Sequence, residues 1–350
     1  MTDQNSSHRA GRRIERFNDG WHFVPDGVGT DGESVALPHT WNALDGQDGG
    51  NDYRRGIGTY TKRFDLDAGD DEVWLEFAGA NSSADVYLNG THLAHHDGGY
   101  STFRCELTPA LEPANVLTVV VDNAPNTTIY PQRADFTFYG GIYRGVTLIT
   151  VPRSHFVLDD HGGPGVVFTP TLDGSRAIVT CEASATGGDA VRFAVDGADA
   201  QTASVVAGSA RADIVIDDVR RWHGTRDPHL YRVTATLLAG DDVVDEVSLR
   251  VGCREFAIDP DRGFLLNGEP YPLRGVSRHQ DWEGVGNAIT TDMMQTDLAL
   301  IQEIGATTVR LAHYQHDQHF YDLCDAAGIV VWAEIPQITD FLPAGTENAT

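Results

Sequence analysis

The sequence has 350 residues, with 51 acidic against 25 basic side chains and a net charge of −26 when histidines are neutral. This charge excludes a general nucleic-acid binder, because phosphate backbones need a basic protein surface. With 41% hydrophobic residues the chain is predicted to be globular, and its length suits two or three domains, of which we expect three.

The charged residues are strongly biased toward aspartate and away from lysine. Lys62 is the single lysine, and 37 aspartates stand against 14 glutamates. Asp-rich, Lys-poor surfaces suit concentrated salt, where screening confines repulsion to short range, so we expect a halophilic source. A codon bias that exchanges lysine for arginine is the alternative, but it does not explain the excess of aspartate.

The cysteines and the apolar runs indicate the compartment. No CxxC spacing links the cysteines, which argues against a zinc site or a disulfide scaffold and predicts reduced, buried thiols. The Arg12-Arg13 pair lacks the apolar stretch of a signal peptide, and no run approaches the roughly 20 apolar residues of a membrane span. We therefore expect a cytoplasmic protein without a membrane partner. The four cysteines are Cys105, Cys181, Cys253 and Cys324.

Residues 1–152 are predicted to be short strands separated by turns. Two strand-like segments cover residues 73–77 and 84–88, and Asn89-Gly90 after the second is a strong two-residue hairpin signal. Residues 116–121 supply a further β-branched run. Such spacing without a helical period predicts an antiparallel sandwich of jelly-roll type.

Residues 153–256 keep the β pattern. About seven strands in a hundred residues predict an immunoglobulin-like sandwich, although the cysteines do not supply that fold's disulfide hallmark. The interpretation therefore depends on strand count alone. Candidate strands cover residues 166–168, 177–179, 191–193, 214–216 and 231–237.

After residue 257 the period changes to alternating strands and helices. A hairpin at residues 264–271 precedes a buried strand at 272–276. Helical spacing predicts a helix from Thr291, as its N-cap, to Gly305, and a second helix over 317–328. Further strands are predicted at 307–311 and 329–332. This alternation is typical of the opening of a parallel α/β domain.

The sequence carries six notable motifs: LPHTWN at 37–42, GTYTKRF at 58–64, DFTFYGGIYR at 135–144, LRGVSRH at 273–279, VRLAHY at 309–314 and LCDAAGIVVWAEIP at 323–336. As a set they resemble glycoside hydrolase family 2, the family of β-galactosidases and β-glucuronidases. The resemblance covers nearly the whole chain in the family's order. It implies a jelly-roll sugar-binding domain at 1–152, an immunoglobulin-like sandwich at 153–256 and the first part of a (β/α)₈ TIM barrel at 257–350.

The resemblance also implies which catalytic groups to look for. Retaining glycosidases use two carboxyl groups about 5 to 5.5 Å apart, and in this family both are glutamates on later barrel strands, the acid/base in an Asn-Glu pair. A barrel takes about 250 residues, and the sequence has 94 after residue 256, where the only such pair is the reversed Glu347-Asn348. We expect a truncated product or one half of a split enzyme, inactive alone.

Two histidines and an arginine are the first candidate site residues. His279 and His313 follow the first two barrel strands, at the end where barrel chemistry gathers. They match the family's sugar-binding histidines, which can donate hydrogen bonds to sugar hydroxyls; strand-end capping is the alternative. Arg310 matches the arginine that steadies the nucleophile, with a buried ion pair as its alternative.

Two carboxylates complete the candidate site. Glu334 follows the third strand, where it would hydrogen-bond an active-site group or a metal, or serve structurally. The Glu-x-His magnesium site of well-known β-galactosidases is absent, since residues 336–339 are PQIT, so magnesium is in doubt. Asp135 matches an aspartate that reaches the galactosyl group, in some members with sodium. The loop at 42–55 is expected to be a mobile surface loop rather than part of the site.

These observations favour a β-galactosidase-type hydrolase of terminal, non-reducing β-D-galactosides. The partners expected are a β-linked galactoside and either a further copy of the chain or a complementary C-terminal chain, with no certain cofactor. A β-glucuronidase or β-mannosidase of the same family is one alternative. A non-catalytic carbohydrate-binding or assembly module is another, although such a module has no need of barrel strands bearing His279, Arg310 and His313.

Overall fold

The structure is a computed structural model that describes residues 11–26, 31–45 and 53–338. The Glu347-Asn348 pair and residues 46–52 of the loop at 42–55 lie outside this part. Two β-sandwiches precede a small parallel α/β unit, as predicted, and no helix in the described ranges is long and apolar enough to cross a membrane.

The first sandwich packs a four-stranded sheet, in the order β1-β10-β5-β8, on a six-stranded sheet, in the order β3-β2-β4-β9-β6-β7. Side chains alternate between buried and half-buried along β5 and β6, so each sheet turns one apolar face to the other. The strands are β1 (Arg13–Arg16), β2 (Trp21–Pro25), β3 (Glu33–Val35), β4 (Ile57–Asp65), β5 (Glu72–Phe77), β6 (Ser83–Leu88), β7 (Thr91–Asp97), β8 (Phe103–Glu106), β9 (Ala114–Asp122) and β10 (Val146–Val151).

The predicted hairpin joins β6 to β7. Asn89 and Gly90 both have positive φ, 51° and 82°, as a two-residue turn matching the strand twist requires. A β-bulge between Val86 and Tyr87 shifts the register of this pair. β7 is an edge strand of the six-stranded sheet.

The second sandwich has seven strands, the number predicted. A three-stranded sheet, β11-β12-β15, faces a four-stranded one, β14-β13-β16-β17, over a core that includes the fully buried Phe193 and Val233. Sequence reading missed β14 and β17. All four cysteines are free and buried, as predicted. The strands are β11 (Val166–Asp173), β12 (Arg176–Ser184), β13 (Ala190–Val195), β14 (Gln201–Ser204), β15 (Ser209–Ile216), β16 (Tyr231–Ala239) and β17 (Asp242–Val251).

The α/β unit begins with the small antiparallel sheet β18-β19-β20 and continues as the parallel sheet β21-β22-β23. Helices α1 and α2 pack Met294, Leu298 and Phe320 against Val309 and Leu311 of the central strand. The elements are β18 (Phe256–Asp259), β19 (Gly263–Leu266), β20 (Glu269–Pro270), β21 (Gly275–Arg278), α1 (Thr291–Glu303), β22 (Thr308–Leu311), α2 (Gln318–Ala327) and β23 (Val330–Ala333).

Two predicted details of this unit were wrong. The first parallel strand begins at Gly275, not Pro272, because Pro272 has no N–H and its carbonyl accepts from the Thr307 hydroxyl, which in turn accepts from the Arg274 N–H. The strand is also mostly exposed rather than buried. The N-cap of α1 is Thr290 rather than Thr291, and its side chain accepts from the Met293 N–H.

Candidate functional site

The parallel register brings three predicted residues to one end of the sheet. His279 directly follows β21, Glu334 directly follows β23, and His313 comes two residues after β22. Because parallel strands share a direction, their carboxyl ends lie side by side, and in barrel folds this end carries the chemistry. Arg310 lies within β22, opposite Ser277 on one side and Trp332 on the other.

The two histidines form a cluster of rings with an aromatic side chain of the first sandwich. Their ring centroids are 5.2 Å apart with an interplanar angle of 70°. Phe136 lies 5.4 Å from the His279 ring and stacks nearly parallel to His313 at 6.1 Å. A residue that adjoins the predicted Asp135 therefore touches both histidines, and the site is built from two units of the protein.

Arg310 and Glu334 form a bidentate ion pair beside His313. Arg310 Nε donates to Glu334 Oε1 at 2.6 Å and Nη2 donates to Oε2 at 3.0 Å. His313 Nδ1 lies 3.1 Å from the same Oε2 and 2.9 Å from Arg310 Nη2. Both members of the pair are partly exposed, so the pair faces the site rather than a closed core.

The surroundings of His279 lower the pKa of its imidazole and so favour the neutral form. Burial lowers the pKa of the His279 imidazole, and the charge of Arg310 and the nearby His313 lower it further. Asp281 and Asp135 oppose this by stabilising the charged form, but the net direction is downward. Asp135 adjoins Phe136, which packs against the His279 ring, and the residue itself is exposed.

A buried arginine fixes the first sandwich to the strand ends. Arg144, 3% exposed, donates to Tyr100 O at 3.0 Å, to Gln280 Oε1 at 3.2 Å and to Gln315 O at 2.6 Å. Gln280 adjoins His279, and Gln315 lies two residues after His313. Tyr100 also stacks on Tyr314, with ring centroids 4.2 Å apart. These contacts fix the positions of the loops that follow β21 and β22.

The structure brings four predicted residues into one cluster and places the fifth, Asp135, at its border. Sequence reading missed Phe136 and Asp281 as site residues, and Arg144 as their support. Asp281 had a weak signal, since it lies two residues after His279. Arg144 ends the DFTFYGGIYR motif, but its supporting role had no local signal, because its partners at the strand ends, Gln280 and Gln315, are more than 130 residues away in the sequence.

The described residues include no group of three or more His, Cys, Asp or Glu side chains arranged to hold a metal ion. Both Glu334 oxygens already accept from Arg310, so metal binding there requires breaking a charge-assisted pair. These residues do not fit a magnesium site. The sodium site at Asp135 stays a prediction.

The chain has two sandwiches followed by a parallel β/α unit. Histidines and an arginine–carboxylate pair lie at the carboxyl ends of that unit's strands. This order of domains and this site define a class of multidomain proteins. Three family profiles match in the same order. They are "Glycosyl hydrolase 2 galactose-binding domain-like" at residues 55–141, "Glycosyl hydrolases family 2" at 164–254 and "Glycosyl hydrolases family 2, TIM barrel domain" at 258–349. The chain belongs to glycoside hydrolase family 2.

Individual relatives agree in fold but differ in their named sugar. A β-glucuronidase of Bacteroides fragilis is 36% identical over 94% of this chain and 50% of its own length. A β-galactosidase of Thermoanaerobacter pseudethanolicus is 28% identical over 93% of this chain and 47% of its own. The crystal structure of an FMN-binding β-glucuronidase from Faecalibacterium prausnitzii L2-6 superposes with a TM-score of 0.90 at 40% identity, covering 94% of this chain and 53% of that one. The chain spans about half the length of these relatives.

Proposed function

We propose that this chain forms the sugar-binding side of a β-glycosidase active site that takes terminal, non-reducing β-linked sugars. The observation that carries the proposal is the cluster of His279, His313 and Phe136 at the carboxyl ends of parallel strands. Aromatic and imidazole rings around a polar, partly exposed end suit a pyranose, which presents both C–H faces and hydroxyl groups.

Each group has a distinct task in this proposal. Neutral His279 hydrogen-bonds a ring hydroxyl, and Phe136 packs against an apolar face of the sugar. Arg310 is a fixed cation beside the site whose charge Glu334 balances. Hydrogen bonds that strengthen as the oxocarbenium ion develops then favour the transition state over the bound sugar. Later barrel strands supply the nucleophile and the acid/base, as the family resemblance implies.

The charges around His279 favour a neutral sugar, so the galactoside is our first candidate. The charged groups that act on this ring are Asp281, Asp135 and Arg310, and Arg310 already pairs with Glu334. Two carboxylates therefore remain on this side. They repel a sugar acid placed against them, and this repulsion weakens as salt rises.

A β-glucuronide is the second candidate, and the names of the relatives favour it. The Bacteroides fragilis and Faecalibacterium prausnitzii proteins are both β-glucuronidases. For this sugar the carboxylate must point away from Asp135 and Asp281, toward a cation of the remaining barrel.

Binding to the 350-residue chain tests the proposal. Saturation-transfer NMR with methyl β-D-galactoside and methyl β-D-glucuronide at low salt is expected to show binding of both, with the galactoside tighter. His279→Ala should weaken binding about threefold to tenfold, the worth of one neutral hydrogen bond. The matched control His22→Ala removes an exposed imidazole of the first sandwich and should change nothing. If neither sugar binds, or if both variants lose binding equally, the proposal is wrong, whereas tighter glucuronide binding selects the second candidate.

A further inference from the structure

His313 meets two groups at one ring nitrogen. Its Nδ1 lies 3.1 Å from Glu334 Oε2 and 2.9 Å from Arg310 Nη2. In an uncharged imidazole Nδ1 either carries the proton and donates, or lacks it and accepts. The choice at Nδ1 also decides the other nitrogen, since the proton absent from one is present on the other.

The Glu334 carboxylate is the stronger hydrogen-bond partner of His313 Nδ1. Ionised Glu334 only accepts hydrogen bonds, so an unprotonated Nδ1 would set a lone pair against an anionic oxygen 3.1 Å away. A proton on Nδ1 instead forms a charge-assisted bond to that oxygen. The cost of this arrangement falls on Arg310, because its Nη2 lies 2.9 Å from the same nitrogen and can only donate. Its Nε–H and an Nη2–H nevertheless keep their bonds to the two Glu334 oxygens.

We infer that Glu334 is a positioning residue that holds His313 in the tautomer protonated at Nδ1, so that Nε2 presents a lone pair to the sugar. No hydrogen-bond partner reaches Nε2 within residues 11–26, 31–45 and 53–338, and the His313 side chain is 22% exposed. Phe136 and His279 both pack against this ring.

The consequence for the ligand rests on the proposed function. An accepting Nε2 selects a group that can donate, which on a pyranose is a hydroxyl. A carboxylate or a fluorine at the same ring position has no proton to give, and leaves the imidazole lone pair unpaired. His313 therefore selects for a hydroxyl at the position it contacts, in contrast to the expectation that it donates.

His316, a neighbouring histidine, provides an internal reference with the opposite tautomer. His316 Nε2 donates to Ala312 O at 3.1 Å, and its Nδ1 accepts from Arg278 Nη1 at 2.8 Å. Arginine is a donor only, so this ring carries its proton on Nε2. The two tautomers three residues apart give distinct signals in one spectrum.

Nitrogen NMR on the 350-residue chain tests the tautomer directly. With ¹⁵N-histidine labelling at pH 8.5, long-range proton–nitrogen correlations are expected to show His313 protonated at Nδ1 and His316 at Nε2, with His313→Gln identifying the His313 signals. Glu334→Gln should remove the Nδ1 preference of His313, whereas Glu303→Gln, an exposed change on α1, should leave it. A wild-type His313 protonated at Nε2 overturns the inference, and this readout stands even if Glu334→Gln fails to fold.

Sugar analogues then separate this inference from the proposed function. In a series of monofluoro-deoxy methyl β-galactosides, one ring position should lose about tenfold in affinity for the wild type and far less for His313→Ala. If no sugar binds while His313 is protonated at Nδ1, the proposed function fails and the tautomer assignment stands. If sugars bind but every fluoro analogue responds alike in both proteins, the assignment of Nε2 as a sugar contact is wrong and the proposed function stands.

Discussion

The two sandwiches and the parallel unit differ in how their sheets are covered. In the second sandwich Phe193 is 0% exposed between two sheets. In the parallel unit α1 and α2 cover one face, and Trp332 on the other is 60% exposed, with no layer over it in the described residues. The parallel unit therefore depends on its neighbours. Arg144 ties it to the first sandwich, and Trp222 Nε1, which donates to Asp325 O at 2.8 Å, ties it to the second.

This difference leads us to expect the parallel unit to open first. Each sandwich has its own closed core, whereas the parallel sheet has two edge strands and one uncovered face. Limited proteolysis with a broad-specificity protease should cut first after about residue 257 and leave a resistant fragment holding both sandwiches. A first stable fragment that retains 291–336 but loses a sandwich contradicts the comparison. Mass spectrometry of the early products identifies which occurs.

Two truncations of aromatic side chains compare the covered and uncovered faces. Phe193→Ala removes a fully buried ring and should destabilise the second sandwich by about 3 to 5 kcal/mol. Trp332→Ala should stay within about 0.5 kcal/mol, because its side chain has little contact to lose. Guanidinium unfolding, followed by circular dichroism, measures both. A cost for Trp332→Ala similar to that of Phe193→Ala means that another layer covers this face.

Substitution of Arg144 tests how firmly the first sandwich holds the parallel unit. Arg144→Met keeps much of the volume but removes hydrogen bonds to Gln280 and Gln315, so we expect a loss of about 2 to 3 kcal/mol. Faster hydrogen exchange should follow in the loops after β21 and β22, and with it weaker sugar binding. Arg13→Ala is the control, since its pair with Asp71 is exposed and is worth less than about 1 kcal/mol. Unchanged exchange in those loops contradicts the positioning role.

Sequence signals predicted what is local. The Asn89-Gly90 turn and the alternating strands depend on neighbours in the chain. The choice of His279 and His313 as site residues came from the family resemblance instead. The strand at 272–276 failed because an apolar run does not show which backbone groups pair. Here the Arg274 N–H and the Pro272 carbonyl pair with the Thr307 hydroxyl instead of with backbone groups of the neighbouring strand. The contacts of Phe136 and Arg144 depend on how whole units dock, which no local pattern records.

The smallest expected effect concerns an edge strand of the first sandwich. β7 carries polar side chains, whereas β23, an edge strand of the parallel sheet, is apolar. Charged side chains on an edge strand discourage its pairing with strands of other molecules. Asp85 Oδ1 lies 2.8 Å from His92 Nε2 and 3.0 Å from His95 Nδ1. The bulge in this hairpin places both imidazoles on the face of Asp85, since residues three apart otherwise point to opposite faces.

These contacts make the stability of the edge depend on pH. The hydrogen bond to Asp85 raises the pKa of His95 despite slight burial. Burial alone would raise the pKa of Asp85, but the hydrogen bonds from His92 and His95 outweigh it and hold the pKa below its usual range. The raised His95 pKa adds stability that is complete below its unfolded pKa of about 6.5 and is lost as pH rises through the folded value. The lowered Asp85 pKa adds stability above about 3.9 that is lost in acid, so both contributions coincide near pH 5 to 6.

Asp85→Asn should therefore cost more at pH 5.5 than at pH 8.5. The side chains are a third to a half exposed, so after solvent screening the difference stays within about 0.5 kcal/mol and shrinks as salt is added. Asp217→Asn is the matched control, because Asp217 pairs at 2.7 Å with Arg176, which keeps its charge throughout this range. Its cost should be the same at both pH values. Equal pH dependence in the two variants, measured by thermal unfolding at low salt, would mean that the shift belongs to the acidic surface as a whole, and that β7 has no pH-sensitive protection of its own.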